Sequence, residues 1–193
     1  MLTEEEARDL LARYVPLDQG WGAHSLVVAR TAATLADALL AARVPVDPTL
    51  ARVGGTLHDI GRSVTHDSAG HAWAGHELLT AREEPTLARF CLTHGFGGLA
   101  GPEAVLVGWP TGDYRPRTWE ERVVAIADGL THGDRVIVLA DRLGSVLERY
   151  RETAPPEQYA LLLQIEPKMR RLMAEVEAVI GTPVEILCGA ERL

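Results

Sequence analysis

The chain has 193 residues, of which 47% are hydrophobic and 24% charged, proportions that exclude a disordered or fibrous protein. Asp and Glu number 27 against 19 Lys and Arg, and the dispersed basic residues disfavour a nucleic-acid partner. Residues 1–6 do not resemble a secretory signal, and no apolar run reaches transmembrane length, so we expect a cytoplasmic protein without a membrane partner. Cys91 and Cys188 lie outside any CxxC motif, so a metal would need histidine and carboxylate ligands.

Apolar residues recur with the helical period along most of the chain, which predicts an all-α, single-domain bundle. We expect helices over residues 3–14, 22–42, 48–61, 69–82, 85–95, 118–131, 134–150 and 156–179. The stretch 95–116 is rich in Gly and Pro and should be a long surface loop. Faces rich in Glu and Arg in the last three helices suggest a solvated exterior. Apolar and polar residues alternate strictly only in a brief tail segment, Val184 to Leu187.

Helical spacing predicts which histidines face the interior. His24 shares an apolar face with Val28 and Leu35, and His94 shares one with Phe90. Asp128 lies on the same face as Val124.

On the helix expected over 69–82, His71 aligns with Leu78, whereas His76 lies about 140° away at roughly 100° per residue. We therefore assign His71 to the interior and His76 to the polar face. His58 and Asp59 end the third helix just before Gly61 can turn the chain. Gly54 and Gly55, one turn earlier, would let a neighbouring helix come close.

Four histidines and two aspartates on apolar faces would be costly buried polar groups unless something paired them. A divalent metal ion accounts for all six residues. Imidazole and carboxylate ligands suit Fe, Mn, Co, Ni or Zn and do not choose among them, and one or two ions could bind.

Three segments carry a family resemblance: His24-Ser25, Leu57-His58-Asp59-Ile60-Gly61-Arg62 and Ala127-Asp128. They resemble the H…HD…D signature of the HD superfamily of metal-dependent phosphohydrolases, in its HDIG form. An uncharacterised HDIG subgroup is similar in further segments: Thr65-His66, Gly70-His71 to Leu79, Thr93-His94-Gly95, and Asp113-Tyr114 followed by Val123 to Asp128. The likeness spans residues 20–145, so we expect one HD domain over 1–193 with that core and a C-terminal helical extension, 146–193.

The resemblance implies an all-α fold and hydrolysis of phosphate esters, often of nucleotides, by metal-activated water, but it brings no substrate. Residue by residue, it assigns a first metal ion to His24, His58, Asp59 and Asp128, with Asp59 bridging to any second ion. His71 and His94 match the extra histidines of binuclear members. Many such relatives have another histidine directly after the one at His94, where this chain has Gly95.

Asp59, Arg62 and His66 are the candidate catalytic residues. Arg62 stands where the family commonly has Lys, and its guanidinium could clasp a phosphate bidentately or form a surface salt bridge. His66 could contact the substrate or protonate the leaving oxygen, or it could be a solvated loop residue. His132 could support Asp128 or act as an acid, and Arg135 could reach a phosphate.

The loop Trp109 to Arg117 carries Trp, Tyr and two arginines, which could cover a nucleobase and a phosphate or serve as an interaction surface. The leading hypothesis is a phosphohydrolase acting on a small phosphorylated substrate, a nucleotide in particular. A diiron oxygenase of the HD fold and a noncatalytic nucleotide sensor are the alternatives. The Ala-rich second helix and the C-terminal helix could also support a homodimer.

Overall fold

The computed structural model describes residues 2–193, apart from the side chain of Phe96. The first half consists of α1 (Glu4–Ala12), α2 (Gly20–Ala41), α3 (Pro48–Leu57), α4 (Gly70–Thr80), α5 (Pro85–Thr93) and α6 (Pro102–Leu106). The second half consists of α7 (Trp119–Leu130), β1 (Thr131–His132), β2 (Arg135–Val136), α8 (Leu139–Tyr150), α9 (Pro156–Leu162), α10 (Ile165–Ile180) and α11 (Val184–Leu187). Short 3₁₀ turns follow α3 and α5, at Ile60–Ser63 and Gly95–Gly97. The all-α prediction is confirmed.

Local signals in the sequence explain where the early helices begin. Thr3 and Glu6 form a reciprocal capping box at the start of α1. Asp47 accepts hydrogen bonds from the backbone N–H groups of Thr49 and Leu50 at the start of α3, with Pro48 in the first turn. The Asp47 cap fixes the start of α3, the helix that ends directly before the predicted metal ligands His58 and Asp59.

The core forms where α2, α3 and α7 contact one another, and α10 packs against α2 and α7. Gly55 lets α3 approach α2, since a Cβ there would lie 2.8 Å from the Ala29 Cα. Four alanines of α2 are buried in this core, so they are not available to a dimer surface: Ala29, Ala32, Ala33 and Ala36. Within residues 2–193, no helix combines the length and the apolar composition that a membrane crossing requires.

Two predicted helices were wrong for identifiable reasons. The helix expected over 134–150 begins only at Leu139, because residues 131–136 form an antiparallel hairpin in which Thr131 pairs with Val136. Gly133, with φ of +61°, supplies the tight turn, and the β-branched partners suit extended backbone. The helix expected over 156–179 is two helices, because Pro167 cannot donate within a continuous helix and falls instead in the first turn of α10.

Three smaller features also differ from what the sequence suggests. The loop expected over 95–116 contains a 3₁₀ turn and α6, and it covers a second apolar cluster around Leu99 and Trp109. The alternating tail segment is helical, as α11, because Val184 inserts into the main core directly after Pro183. The third helix ends at Leu57 instead of Gly61; residues 58 and 59 form a turn, and the 3₁₀ turn Ile60–Ser63 follows.

Candidate metal centre

The six residues predicted as metal ligands come together where α2, α3, α4, α5 and α7 meet. Two overlapping groups keep their ligand atoms within 4.8 Å of one another: His24, His58 and Asp59, and Asp59, His71 and His94. Asp59 belongs to both groups, which is the position that a carboxylate bridging two ions would take.

Asp128, in the last turn of α7, lies against the first group. Its Oδ1 is 3.0 Å from the Nε2 of His24 and 3.7 Å from the Nε2 of His58. Asp59 Oδ1 makes the matching contacts in the second group, 2.9 Å from His71 Nε2 and 3.6 Å from His94 Nε2. All four imidazoles therefore turn the same ring nitrogen towards a carboxylate.

The other nitrogen of each ring, Nδ1, lies at a backbone carbonyl oxygen. The four Nδ1–O distances are 3.2 Å from His24 to Gly133, 2.7 Å from His58 to Gly55, 2.8 Å from His71 to Asp67 and 3.2 Å from His94 to Phe90. A carbonyl only accepts, so a neutral imidazole here carries its proton on Nδ1 and leaves the Nε2 lone pair free. Such backbone contacts are the usual outer support of metal-bound histidines.

Three of these lone pairs are unfavourably placed unless a cation lies between them. The Nε2 of His58 is buried and has no hydrogen-bond partner among the described residues. The Nε2 atoms of His71 and His94 face each other at 3.4 Å, and two neutral rings that donate from Nδ1 would have no proton to share there. Buried acceptors without donors are unfavourable. The nitrogen and oxygen donor set, with no thiolate, therefore fits a divalent transition metal.

The pKa shifts of the ligands agree with this fit. Burial by itself raises the pKa of Asp59 and of Asp128, but the neighbouring histidines outweigh it and hold both pKa values well below the usual range. Burial, then the neighbouring charge of His58, lowers the pKa of His94 to about 4. Burial also acts to lower the pKa of His58, yet Asp59 and Asp128 raise it overall. Both carboxyl groups are thus ionised, as metal binding requires.

Gly61, in the HDIG segment, sets the distance between Asp59 and α4. A Cβ at Gly61 would collide with backbone atoms of His71 and Gly75, so only glycine lets α4 approach this closely. The N-terminus of α4 is held by Asp67, whose side chain accepts from the N–H groups of Ala69 and Gly70. Since the carbonyl of Asp67 also accepts from His71 Nδ1, one loop residue positions both the helix and the imidazole.

The HD domain family matches residues 21–143, well over half of the chain. This protein belongs to the HD domain family. The predicted superfamily is thereby confirmed, and so is the expected class of metal-dependent hydrolase.

Several relatives resemble this HD domain. An uncharacterized protein of Methanocaldococcus jannaschii is 37% identical over 74% of this chain and 85% of its own length. A tRNA (cytidine(56)-2'-O)-methyltransferase of Picrophilus torridus is 36% identical over 96% of this chain but only 47% of its own length. Ribonuclease Y of Clostridium botulinum is 31% identical over 56% of this chain and 17% of its own length. The chain thus spans less than half of the last two proteins.

A solved structure shares the fold. The HD domain of the L. monocytogenes phosphodiesterase PgpH, in complex with cyclic-di-AMP, aligns with a TM-score of 0.54. The alignment covers 94% of this chain and 96% of the PgpH chain, at 18% sequence identity.

A cavity of about 730 Å³ opens over the candidate metal centre of this HD domain. Three arginines line it: Arg62, Arg142, whose Nε donates to the Thr131 carbonyl at 2.8 Å, and Arg149. Arg62 Nε lies 2.5 Å from Asp59 Oδ2 with 28% of its side chain exposed, so it contacts the predicted bridging carboxylate and the cavity at once. Burial and then Arg142 and Arg149 lower the pKa of His132, which marks a positive potential on this wall.

The remaining candidate residues differ in whether they line this cavity. His66 is exposed and lines the cavity, as does His132. Arg135 does not line it and instead pairs with Glu191 at 2.5 Å, so the suggested phosphate contact was wrong. His76, which the sequence assigned to the polar face, is half-buried, with Nδ1 3.3 Å from the Ala88 carbonyl, and it belongs to neither ligand group.

The loop Trp109 to Arg117 contributes only its first residue to this cavity. Trp109 lines the wall and donates its indole N–H to the Ala69 carbonyl at 3.1 Å. Arg115 and Arg117 pair with Asp113 and lie outside the cavity lining. These two arginines therefore do not cover the cavity over the candidate metal centre.

Sequence reasoning missed Arg142 and Arg149, which it placed on a solvated exterior. The two residues are seven positions apart on α8 and therefore share one helical face. This seven-residue spacing was the one sequence feature that could have indicated a shared cationic face. It also missed Gly133, whose backbone carbonyl contacts His24 from the turn of a hairpin whose second strand was expected to be helical.

Proposed function

We propose that this HD domain hydrolyses a phosphate ester of a nucleotide, or of another small phosphorylated metabolite, with one or two divalent metal ions. The observation that carries the proposal is the convergence of four imidazole Nε2 atoms on Asp59 and Asp128 at the base of an arginine-lined cavity. The first ion would be held by four ligands: His24, His58, Asp59 and Asp128. His71 and His94 would hold the second, with Asp59 shared.

The ion, which could be Fe, Mn, Co, Ni or Zn, would supply a nucleophile from water and neutralise charge on the phosphate. Asp59 would hold the ions in place. Arg62, already in contact with Asp59, would bind a phosphate oxygen with its remaining N–H groups. His66 faces the cavity from a loop and would donate a proton to the leaving oxygen. Gly95 lines the cavity without a side chain, which leaves space beside His94.

Nucleotide substrates are favoured by the size and lining of the cavity. Its volume of about 730 Å³ lies within the usual range for small-molecule sites, roughly 300–1,000 Å³. Trp21 and Tyr150 add aromatic surface on which a base could stack, and Arg142 and Arg149 would bind the phosphate. The PgpH HD domain was solved with cyclic-di-AMP, which supports a nucleotide as the substrate class.

The proposal is tested with protein loaded with Mn²⁺, Fe²⁺, Co²⁺ or Ni²⁺ and a panel of nucleotide and sugar phosphate esters. We expect phosphate or nucleoside release from at least one member. Asp59→Asn should lose bound metal and turnover together, at least about a hundredfold in kcat, as expected for a metal-centre ligand. Asp37→Asn, an exposed change on α2, is the matched control and should retain both.

The same experiment separates the alternatives. Hydrolysis should proceed equally in air and under anaerobic conditions, whereas a diiron oxygenase would turn over only with dioxygen. A noncatalytic sensor would bind a nucleotide and release no product. Turnover that persists in an Asp59→Asn protein without bound metal would contradict the proposed mechanism.

A further inference from the structure

A second cavity, of about 620 Å³, lies on the far side of the turn that follows His94. Five cationic side chains line it: Arg115, Arg117, Arg122, Lys168 and Arg171. Three acidic residues line it as well: Glu103, Asp113 and Glu175. The lining therefore carries an excess of two positive charges in a chain whose net charge is −8. A region of positive charge on an otherwise acidic protein attracts anions.

The cations are held in place by weak partners. Arg115 forms a bidentate pair with Asp113 at 2.9 and 3.0 Å, and Arg122 Nε lies 3.4 Å from Glu175 Oε2. The Arg115 side chain is 65% exposed, and exposed pairs of this kind stabilise a fold by only about 0–1 kcal/mol. Arg171 forms no ion pair within the part of the chain that the structure describes. A ligand with several phosphate oxygens could thus recruit these groups at little cost.

Lys168 links this cavity to the metal centre. Its Nζ donates to the carbonyl of Gly98 at 3.1 Å and lies 2.8 Å from Glu103 Oε1. Gly97 lines both cavities, and the turn Gly95–Gly97 begins directly after His94. A Cβ at Gly97 would lie 2.8 Å from the Lys168 Cβ, so the lysine packs tightly on the turn. An anion that binds Lys168 would therefore change the contacts of the segment that carries His94.

We propose that the second cavity binds a small anion with several phosphate groups, such as tripolyphosphate or the phosphate tail of a nucleotide. Guanidinium groups match phosphate oxygens bidentately, and five cations from three chain segments surround one concave site. The concave shape and the acidic character of the whole chain favour a compact ligand over an extended nucleic acid. Binding here would order the turn Gly95–Gly97.

Isothermal titration calorimetry of tripolyphosphate into EDTA-dialysed protein, residues 1–193, measures binding at this site in the absence of turnover. If no binding is detected, the proposed hydrolase function is unaffected. We expect Arg171→Gln to weaken binding about tenfold, the loss of one charge-assisted hydrogen bond. Arg8→Gln, an exposed change on α1, and Arg142→Gln, in the first cavity, should each leave binding within about twofold. Amide exchange over residues 95–98 should slow on binding in the wild type.

Binding of ATP as tight as that of tripolyphosphate would support a site for the phosphate groups. Tighter binding of ATP would also support the site and would identify a nucleotide as its ligand. Equal weakening in Arg8→Gln and Arg171→Gln would overturn the proposal, because binding would then follow net charge alone. Loss of binding in Arg142→Gln would place the anion in the first cavity. Equal affinity for sulfate, or stronger binding of a short RNA than of tripolyphosphate, would also overturn it. Circular dichroism of each variant controls for folding.

Discussion

His71 and His76 lie five residues apart on α4, and only His71 reaches the proposed metal centre. We expect wild-type protein to bind about two ions, and His71→Gln to keep about one, because four ligands of the other ion are untouched. His76→Gln is the matched control, since His76 contacts only the Ala88 carbonyl and the Trp73 ring. Metal analysis after gel filtration measures the ratio. Equal metal content in wild type and His71→Gln would contradict a second ion at this residue.

Arg149 lines the cavity and forms no ion pair with any described residue, so it is available to a substrate phosphate. With the substrate found by the screen, Arg149→Gln should raise KM about tenfold and change kcat less than about twofold. KM rises alone when the lost contact stabilises the bound substrate and the transition state by the same amount. Arg151→Gln, two residues further and paired only with Glu148, is the control. A large fall in kcat with unchanged KM would assign Arg149 to the chemistry instead.

At the scale of elements, the close packing of α2 on α3 sets the distance between His24 and His58. Gly55→Ala would place a Cβ against the Ala29 backbone and should lower the free energy of unfolding by about 1–3 kcal/mol. Gly144→Ala, on the exposed face of α8 with no atom within 4 Å of the new Cβ, should raise it by about 0.5–1 kcal/mol. Urea denaturation measures both. If both substitutions changed the free energy of unfolding by the same amount, helix propensity rather than packing would determine the effect at position 55.

The elements also explain which parts of the fold could be predicted from sequence. Ligand positions such as His24 and His71 follow from periodicity within a single helix, which is a local property. The end of α3 and the hairpin at 131–136 depend on tertiary contacts, since the Gly133 carbonyl accepts from His24 across 109 residues. Arg142 and Arg149 look like a solvated face until α8 is packed over the cavity. The division into a core, 20–145, and an extension, 146–193, stays a prediction, although Met169 and Met173 of α10 join the main core.

At the scale of the whole molecule, the ligands of the proposed centre connect five helices, so metal binding should stabilise the entire fold. Metal at about a hundred times its Kd contributes about 2.7 kcal/mol to the folded state. For a chain of this length we expect Mn²⁺ to raise Tm by about 5–10 °C over EDTA-treated protein. Differential scanning calorimetry of wild type and Asp59→Asn, each with and without Mn²⁺, is the measurement. Equal Tm values for loaded and stripped wild type would contradict the prediction.

The contact between His24 and Asp128 joins residues 104 positions apart, and the backbone carbonyl that orients His24 lies five residues further still. Contacts of such long sequence separation form late, because the entropy of closing the chain must be overcome before they stabilise anything. During synthesis, the centre can be completed only after residue 133 has left the ribosome. Metal uptake would then report the end of folding, well after the individual helices have formed.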